Sequence, residues 1–335
     1  MHLSRRAVLG ALALTAVATG CGSTTASSGS GGSAAAGSGK VWQIGVSQIV
    51  THPALDAVRK GAIAELATQG FTDGQNIKID FQNPEGDQST LNTIAQTFAS
   101  ANKDLVLAIA TPTAQAMAQA ITDKPVVFAA VTDPVAAKLV KSLTAPGGNV
   151  TGTSDMNPID KQIGLITEIV PGAKTIGIVY SSAETNSQVQ VEMAKTAAQK
   201  IGVTIKTATI TNSSEIQQAA QSIAGGIDAY FVPTDNTVVS GLESLIQVAV
   251  DHKLPIITAD ADSVKRGCIA SYAVDYGKMG TQTGAMIAGI LQGADPATMP
   301  VEVQTDPQLT VNKEAAAKIG LTIPDAVLKS ADVTV

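Results

Sequence analysis

The chain has 335 residues, of which 44% are hydrophobic and 15% charged, with 22 basic against 28 acidic side chains and a net charge of −6. That balance argues against a nucleic-acid partner, which calls for a basic face. Two cysteines, Cys21 and Cys268, give no disulfide framework, so the fold has to be held by its core.

Ser4-Arg5-Arg6 precede an uncharged, mostly apolar run from Ala7 to Gly20. The run is shorter than the roughly 20 residues that cross a bilayer and reads as an export signal over residues 1–20. Ala18-Thr19-Gly20 ahead of Cys21 resemble a bacterial lipobox, with Ala18 where leucine is usual, which makes Cys21 the expected lipidation site and new N-terminus. Arg5-Arg6 fit either a twin-arginine or an ordinary secretory signal. Residues 21–40, from Cys21 to Lys40, are otherwise Ser, Gly, Ala and Thr with almost nothing to bury, and read as a flexible tether. Without the signal the balance is 20 basic against 28 acidic, about −8, and the remaining histidines, His52 and His252, form no cluster with Cys268 at metal-ligand spacing.

From residue 41 onward, short Val/Ile/Leu runs alternate with helical periodicity, the pattern of parallel βαβ units. Strands are expected at 41–47, 76–81, 105–110, 125–131, 175–180, 204–210, 229–233 and 255–259, several of them apolar on both sides as doubly covered strands should be. Helices are expected to start at Thr51-His52-Pro53, Thr111-Pro112, Asn186-Ser187, Ser213-Ser214 and Asp235-Asn236, where capping side chains or first-turn prolines precede apolar repeats. The polar loops leaving the strands (48–52, 111–115, 132–134, 184–187, 234–237 and 260–263) would gather on one edge of each sheet, where helix N-termini favour polar or anionic groups.

The expected fold is therefore α/β, with two Rossmann-like lobes of parallel strands and a cleft between their carboxyl edges. The turn at Pro146-Gly147-Gly148-Asn149 marks a division near residue 150, and the helix after residue 275 reads as a return to the first lobe, with a further crossing near Pro300. This gives lobe 1 as 41–150 plus 275–299 and lobe 2 as 151–274 plus 300–335.

The segments 109–115 (IATPTAQ), 127–134 (VFAAVTDP), 146–152 (PGGNVTG), Tyr180 with 184–187 (ETNS), 232–236 (VPTDN) and 262–267 (DSVKRG) resemble, in one order, the ABC transporter substrate-binding family of the tryptophan/tyrosine-binding lipoprotein type. The resemblance runs from residue 41 to about 328. Departures are few: Ser181-Ser182 stand where Asn-Pro is common, and Cys268-Ile269 replace small residues. What the resemblance implies is a type I periplasmic-binding-protein fold with a three-crossing hinge and one solute clamped between the lobes. The implied solute is an aromatic L-amino acid, delivered to a permease and an ATPase. It also implies a monomer anchored by lipid on the outer face of the cell membrane, with no cofactor.

An amino-acid zwitterion needs donors for its carboxylate and acceptors for its ammonium. Thr111, Thr113, Ala114 and Gln115, at a helix start, are the carboxylate candidates, with a plain helix cap as the bland alternative. Thr132 and Asp133 sit at the next strand end and serve as contacts or as a turn cap. In the second half Asn186, Ser187, Asp235 and Asn236 are candidates, and the resemblance assigns Asp235 to the ammonium. Asp260, followed by Asp262, is a second acidic candidate, a pair that lacks the further ligands of a calcium loop. Aromatic residues make up only 3% of the chain, leaving Phe128, Tyr180, Tyr272 and Tyr276 for a ring wall and His52 for the mouth. That scarcity keeps other solutes open: an aliphatic amino acid, a nucleoside or a sugar. An enzyme in the same cleft is disfavoured by the absence of a G-x-S-x-G, P-loop or dinucleotide fingerprint after a strand, and a ligand sensor would share the same fold.

Overall fold

The computed structural model describes residues 39–335; the export signal, Cys21 and nearly all of the tether lie outside the described residues. Lys40 already belongs to one compact unit, Lys40–Val335, with its ammonium 2.7 Å from Asp104 and over the Trp42 ring.

The first βαβ series runs β1 (Trp42–Gln48), α1 (Pro53–Thr68), β2 (Ile77–Gln82), α2 (Gln88–Ser100), β3 (Leu105–Ile109), α3 (Thr111–Ala120), β4 (Val126–Ala129) and β5 (Val150–Ser154). The second runs α4 (Ile159–Ile169), β6 (Thr175–Ser181), α5 (Thr185–Lys200), β7 (Thr204–Ile210), α6 (Ile216–Ala224), β8 (Ala229–Val232), α7 (Asn236–Ser240), α8 (Leu242–Asp251), β9 (Ile256–Thr258), α9 (Ala261–Arg266) and β10 (Ala270–Ala273). Then come α10 (Tyr276–Leu291), β11 (Glu302–Val303), β12 (Gln308–Val311), α11 (Lys313–Lys318), α12 (Asp325–Ser330) and β13 (Val333–Thr334).

Two sheets result, in the orders β11-β5-β4-β3-β1-β2 and β13-β12-β10-β9-β8-β6-β7. Every pair is parallel except β10 with β12. Strands such as β3, β4 and β8 are buried along their whole length because helices cover both faces of each sheet. The first core joins Ile44, Phe98, Leu107 and Phe128; the second sheet has a cluster on each face, one around Ile176 and Phe231 and one around Tyr230 and Leu245. Each such side chain contributes about 1.5–3 kcal/mol by leaving water.

The sheet boundaries differ from the division by turns. Strand β5 pairs with β4, Val126 opposite Val150, so residues 150–154 lie in the first sheet and not with the second lobe. The cause is local: Asn149 donates through Nδ2 to the carbonyls of Ile121 and Lys124, which makes 146–149 a turn within the first lobe. Likewise β11 pairs with β5, so the chain leaves the first sheet after Val303 and not near Pro300.

The links between sheets are 155–158, 274–275 and 304–307. Asn157 ties two of them, donating to the Ala259 carbonyl and accepting from the Val274 N–H, while Gln304 and the Asp275 backbone exchange two hydrogen bonds. Helix α10 lies backbone to backbone on α1. A Cβ at Gly280 would sit 2.4 Å from the Val58 carbonyl, and one at Gly284 2.6 Å from that of Ala62, so only glycine permits this approach.

Candidate functional site

The carboxyl ends of both sheets face one another across a narrow, tightly closed internal cavity. First-lobe walls are His52 at the α1 cap, Ala54 and Leu55 from α1, Ala130 and Thr132 after β4, Asp155 in the first link and Tyr276 opening α10. The second lobe supplies Asn186, Thr234, Asp235, Asn236, Val239 and Asp260. An outer groove of about 730 Å³ adjoins it through Asn236, lined by Pro112 and Glu85 on one side and Ser181, Glu184 and Thr237 on the other. Gln115 crosses between the lobes, its Nε2 3.4 Å from Thr185 Oγ1 and 3.2 Å from the Ala137 carbonyl.

On the second-lobe side the acidic groups are wired into the fold. Glu184 precedes α5 and accepts from the N–H of Asn236 (3.1 Å), the N–H and Oγ1 of Thr237 (2.9 and 2.8 Å) and the side-chain amides of Asn186 and Asn236. Asp235 caps α7 through Val238 N–H at 2.8 Å and also accepts from Ser181 N–H (2.6 Å) and Ser187 Oγ (2.7 Å). Burial, with Glu184 close by, pushes its carboxyl up to about 7. Asp260 caps α9 through both the N–H and hydroxyl of Ser263.

Asp155 is fully buried and accepts from Thr132 Oγ1 at 2.9 Å and Tyr276 Oη at 2.8 Å, joining β4, the first link and α10. Burial raises its pKa above the usual carboxylate range, and burial together with Asp155 raises that of the Tyr276 phenol. Burial lowers the pKa of His52, favouring the neutral imidazole.

Several buried polar atoms have no partner: His52 Nδ1, Thr111 Oγ1, Thr113 Oγ1 and Asn186 Oδ1. Such orphans cost about 1–3 kcal/mol each and suit a site awaiting a ligand. Ala110 (φ +79°) and Ala130 (φ +54°) adopt left-handed backbone at the ends of β3 and β4, strain of the kind that collects at binding sites.

The candidates of the sequence divide accordingly. His52, Thr132, Asn186, Asp235, Asn236, Asp260 and Tyr276 line the inner cavity. Thr111, Thr113, Ala114, Gln115, Asp133 and Ser187 do not: Asp133 caps its own turn at Val135 and Ala136, and Ser187 supports Asp235. Thr111 is no helix cap, because α3 starts from Ala110 and its hydroxyl stays unpaired. The α1 cap position is likewise held by His52 without a side-chain bond, while Thr51 turns to Glu85. Asp235 is at the cavity, but its two oxygens already accept three donors, as do those of Asp260, so Asp155, with two, is the least committed acid for a cationic group. Asp155 escaped the sequence reading; an acid directly after Val150-Thr151-Gly152-Thr153-Ser154, which holds three β-branched residues, was the available signal. Of the ring candidates only Tyr276 reaches the cavity; Phe128 is in the core. Among the described residues no three His, Cys, Asp or Glu converge as metal ligands.

Known proteins share this architecture. A curated tyrosine-binding protein of Clostridioides difficile is 42% identical over 296 residues, 88% of this chain and 86% of that one. At 43% identity and 88% coverage of this chain, the structure superposes on all of a Streptococcus pneumoniae ABC domain in complex with L-Trp with a TM-score of 0.86. Against the ligand-free, open structure of a Clostridium difficile substrate-binding protein with adhesive properties, at the same identity and with 99% of that chain covered, the TM-score is 0.65. At equal identity, the present arrangement superposes better on the L-Trp complex than on the ligand-free, open structure. An allitol-bound solute-binding protein of Agrobacterium vitis and a glucose-galactose binding protein of Geobacillus stearothermophilus, at 15% and 17% identity, share the fold alone. Residues 43–335 match the family described as ABC transporter substrate binding protein, and the chain belongs to that family.

Proposed function

We propose that this chain is the extracytoplasmic, lipid-anchored receptor of an ABC importer, and that it clamps one aromatic L-amino acid between its lobes for delivery to a permease and ATPase. The carrying observation is the closed interlobe cavity, whose two walls come from different lobes and whose buried polar atoms lack partners on the protein. The tyrosine-binding and tryptophan-complexed relatives supply the ligand class. Carboxylate donors are available at the start of α3, where Thr111 and Thr113 are unpaired beside Pro112 of the outer groove; ammonium acceptors are Asp155, Asp260 and Asn186. The reading involves no catalytic step: the chain binds, closes and releases as a monomer.

Titration with the twenty L-amino acids by calorimetry and thermal shift tests the ligand. Tryptophan, tyrosine or phenylalanine should raise the melting temperature with concentration, by about 2.7 kcal/mol of stability at a hundred times Kd. A response confined to a sugar, nucleoside or aliphatic amino acid overturns the aromatic assignment. Metabolic labelling with an alkynyl fatty acid tests the anchor: label on the wild type and none on Cys21→Ser is the expected result.

A further inference from the structure

The walls of the inner cavity and the outer groove carry five carboxylates, Asp155, Asp235, Asp260, Glu85 and Glu184, and no lysine or arginine. Arg266 is the cation that bears on His52, yet its guanidinium is bound to Glu243 and the Val239 carbonyl. Acids alone make no site, but Asn186 adds an independent pointer. Its Nδ2 donates to the Thr234 carbonyl (2.6 Å) and Glu184 Oε2 (2.9 Å), with Ser187 Oγ at 3.3 Å. Those acceptors fix which end of the amide is nitrogen, so the partnerless Oδ1, on a side chain 2% exposed at the cavity wall, is an acceptor lacking a donor. His52 Nδ1 is a second unpartnered atom, on the first-lobe wall of the same cavity. By contrast, the donors available for a ligand carboxylate are neutral hydroxyls and backbone N–H groups at α3.

We propose that the site is in the first place a receptor for an organic ammonium, so that decarboxylated aromatic amines such as tryptamine and tyramine are ligands in their own right. In a dry cavity a monocation supplies the counter-charge that lets buried acids ionise, which a zwitterion, neutral as a whole, supplies only locally. The amine also meets Asn186 Oδ1 with an N–H and loses only contacts to neutral donors. The proposal rests on the aromatic side chain assigned above, whereas the ranking of head groups is its own claim.

Calorimetry of the folded protein at neutral pH with three head groups on one ring separates the two. L-Tryptophan, tryptamine and indole-3-propionate form one set; L-tyrosine, tyramine and 3-(4-hydroxyphenyl)propionate form the other. In the set that binds, the amine should come within about tenfold of the amino acid, and the deaminated acid should be weaker by at least about a hundredfold. An amine no tighter than its deaminated acid, beside an amino acid that binds, overturns the proposal and leaves the aromatic amino-acid reading standing. Amine binding with no amino-acid response overturns that reading and supports this one. Silence from all six overturns both.

Discussion

The two faces of the cleft are finished to different degrees. On the second-lobe side, Glu184 and Asp235 receive eight hydrogen bonds from the protein and stitch α5, α7 and the end of β6 into one unit before any solute arrives. On the first-lobe side, Thr111, Thr113 and His52 hold buried polar atoms with no partner, and Ala110 and Ala130 hold strained backbone. The second-lobe face is self-satisfied apart from Asn186 Oδ1, and the first-lobe face stores most of the unmet demand. Closure onto a ligand is favoured where the demand lies, while geometry is set where the network lies.

The largest expected effect breaks the second face through charge. Asp235 keeps its proton in the folded protein up to about pH 7, while the unfolded chain loses it near pH 4, so between those values the folded state binds more protons. Its contribution to stability is therefore full near pH 4 and falls as pH rises to about 7, by up to about 4 kcal/mol. Melting of the apo protein across pH 4–8 should show this slope weakened in Asp235→Asn; equal slopes in both proteins would remove the buried-acid account.

Next comes Glu184→Ala, which strands five donors at once. A loss of about 3 kcal/mol is expected, read as a lower urea midpoint with little change in slope, and an unchanged midpoint would mean that water replaces the carboxylate freely. The first face should respond in the opposite way. Thr111→Val with Thr113→Val removes two orphan hydroxyls, so stability should hold or rise, while affinity for the amino acid falls by about tenfold, or 1.4 kcal/mol. A stability loss without an affinity loss would make these residues structural. The smallest effect is Ala130→Gly, which relieves the positive φ and should shift stability upward by less than about 1 kcal/mol.

Much of this comparison was legible in the sequence, but unevenly. Long apolar strands between helices with clear starts, such as 105–110 and 229–233, announce themselves, because burial on both faces demands an unbroken apolar run. Strand β5 reads Val-Thr-Gly-Thr-Ser and β11 has two residues, so neither carries a hydrophobic signal, and both are fixed by pairing with distant strands. Missing β5 meant missing Asp155, since an acid counts as a strand-end residue only when the strand is seen. Strand-end loops pointed to His52, Thr132, Asn186, Asp235, Asn236 and Asp260, and the search for a ring wall to Tyr276, all of which line the inner cavity. They could not give direction: Thr132 turns inward and Asp133, one residue on, turns back to its own turn.

The glycine contact between α1 and α10 has a reach beyond its own helices. His52 sits at the start of α1 and Tyr276 at the start of α10, so these two walls of the cavity are the tips of paired levers gripped at Gly61, Gly280 and Gly284. Gly61 lies nine residues from His52, about 14 Å along the helix. A methyl group added at that grip, far outside the cleft, would splay the tips and detune the ligand's seat, so the width of the cavity is written partly in residues that no ligand ever touches.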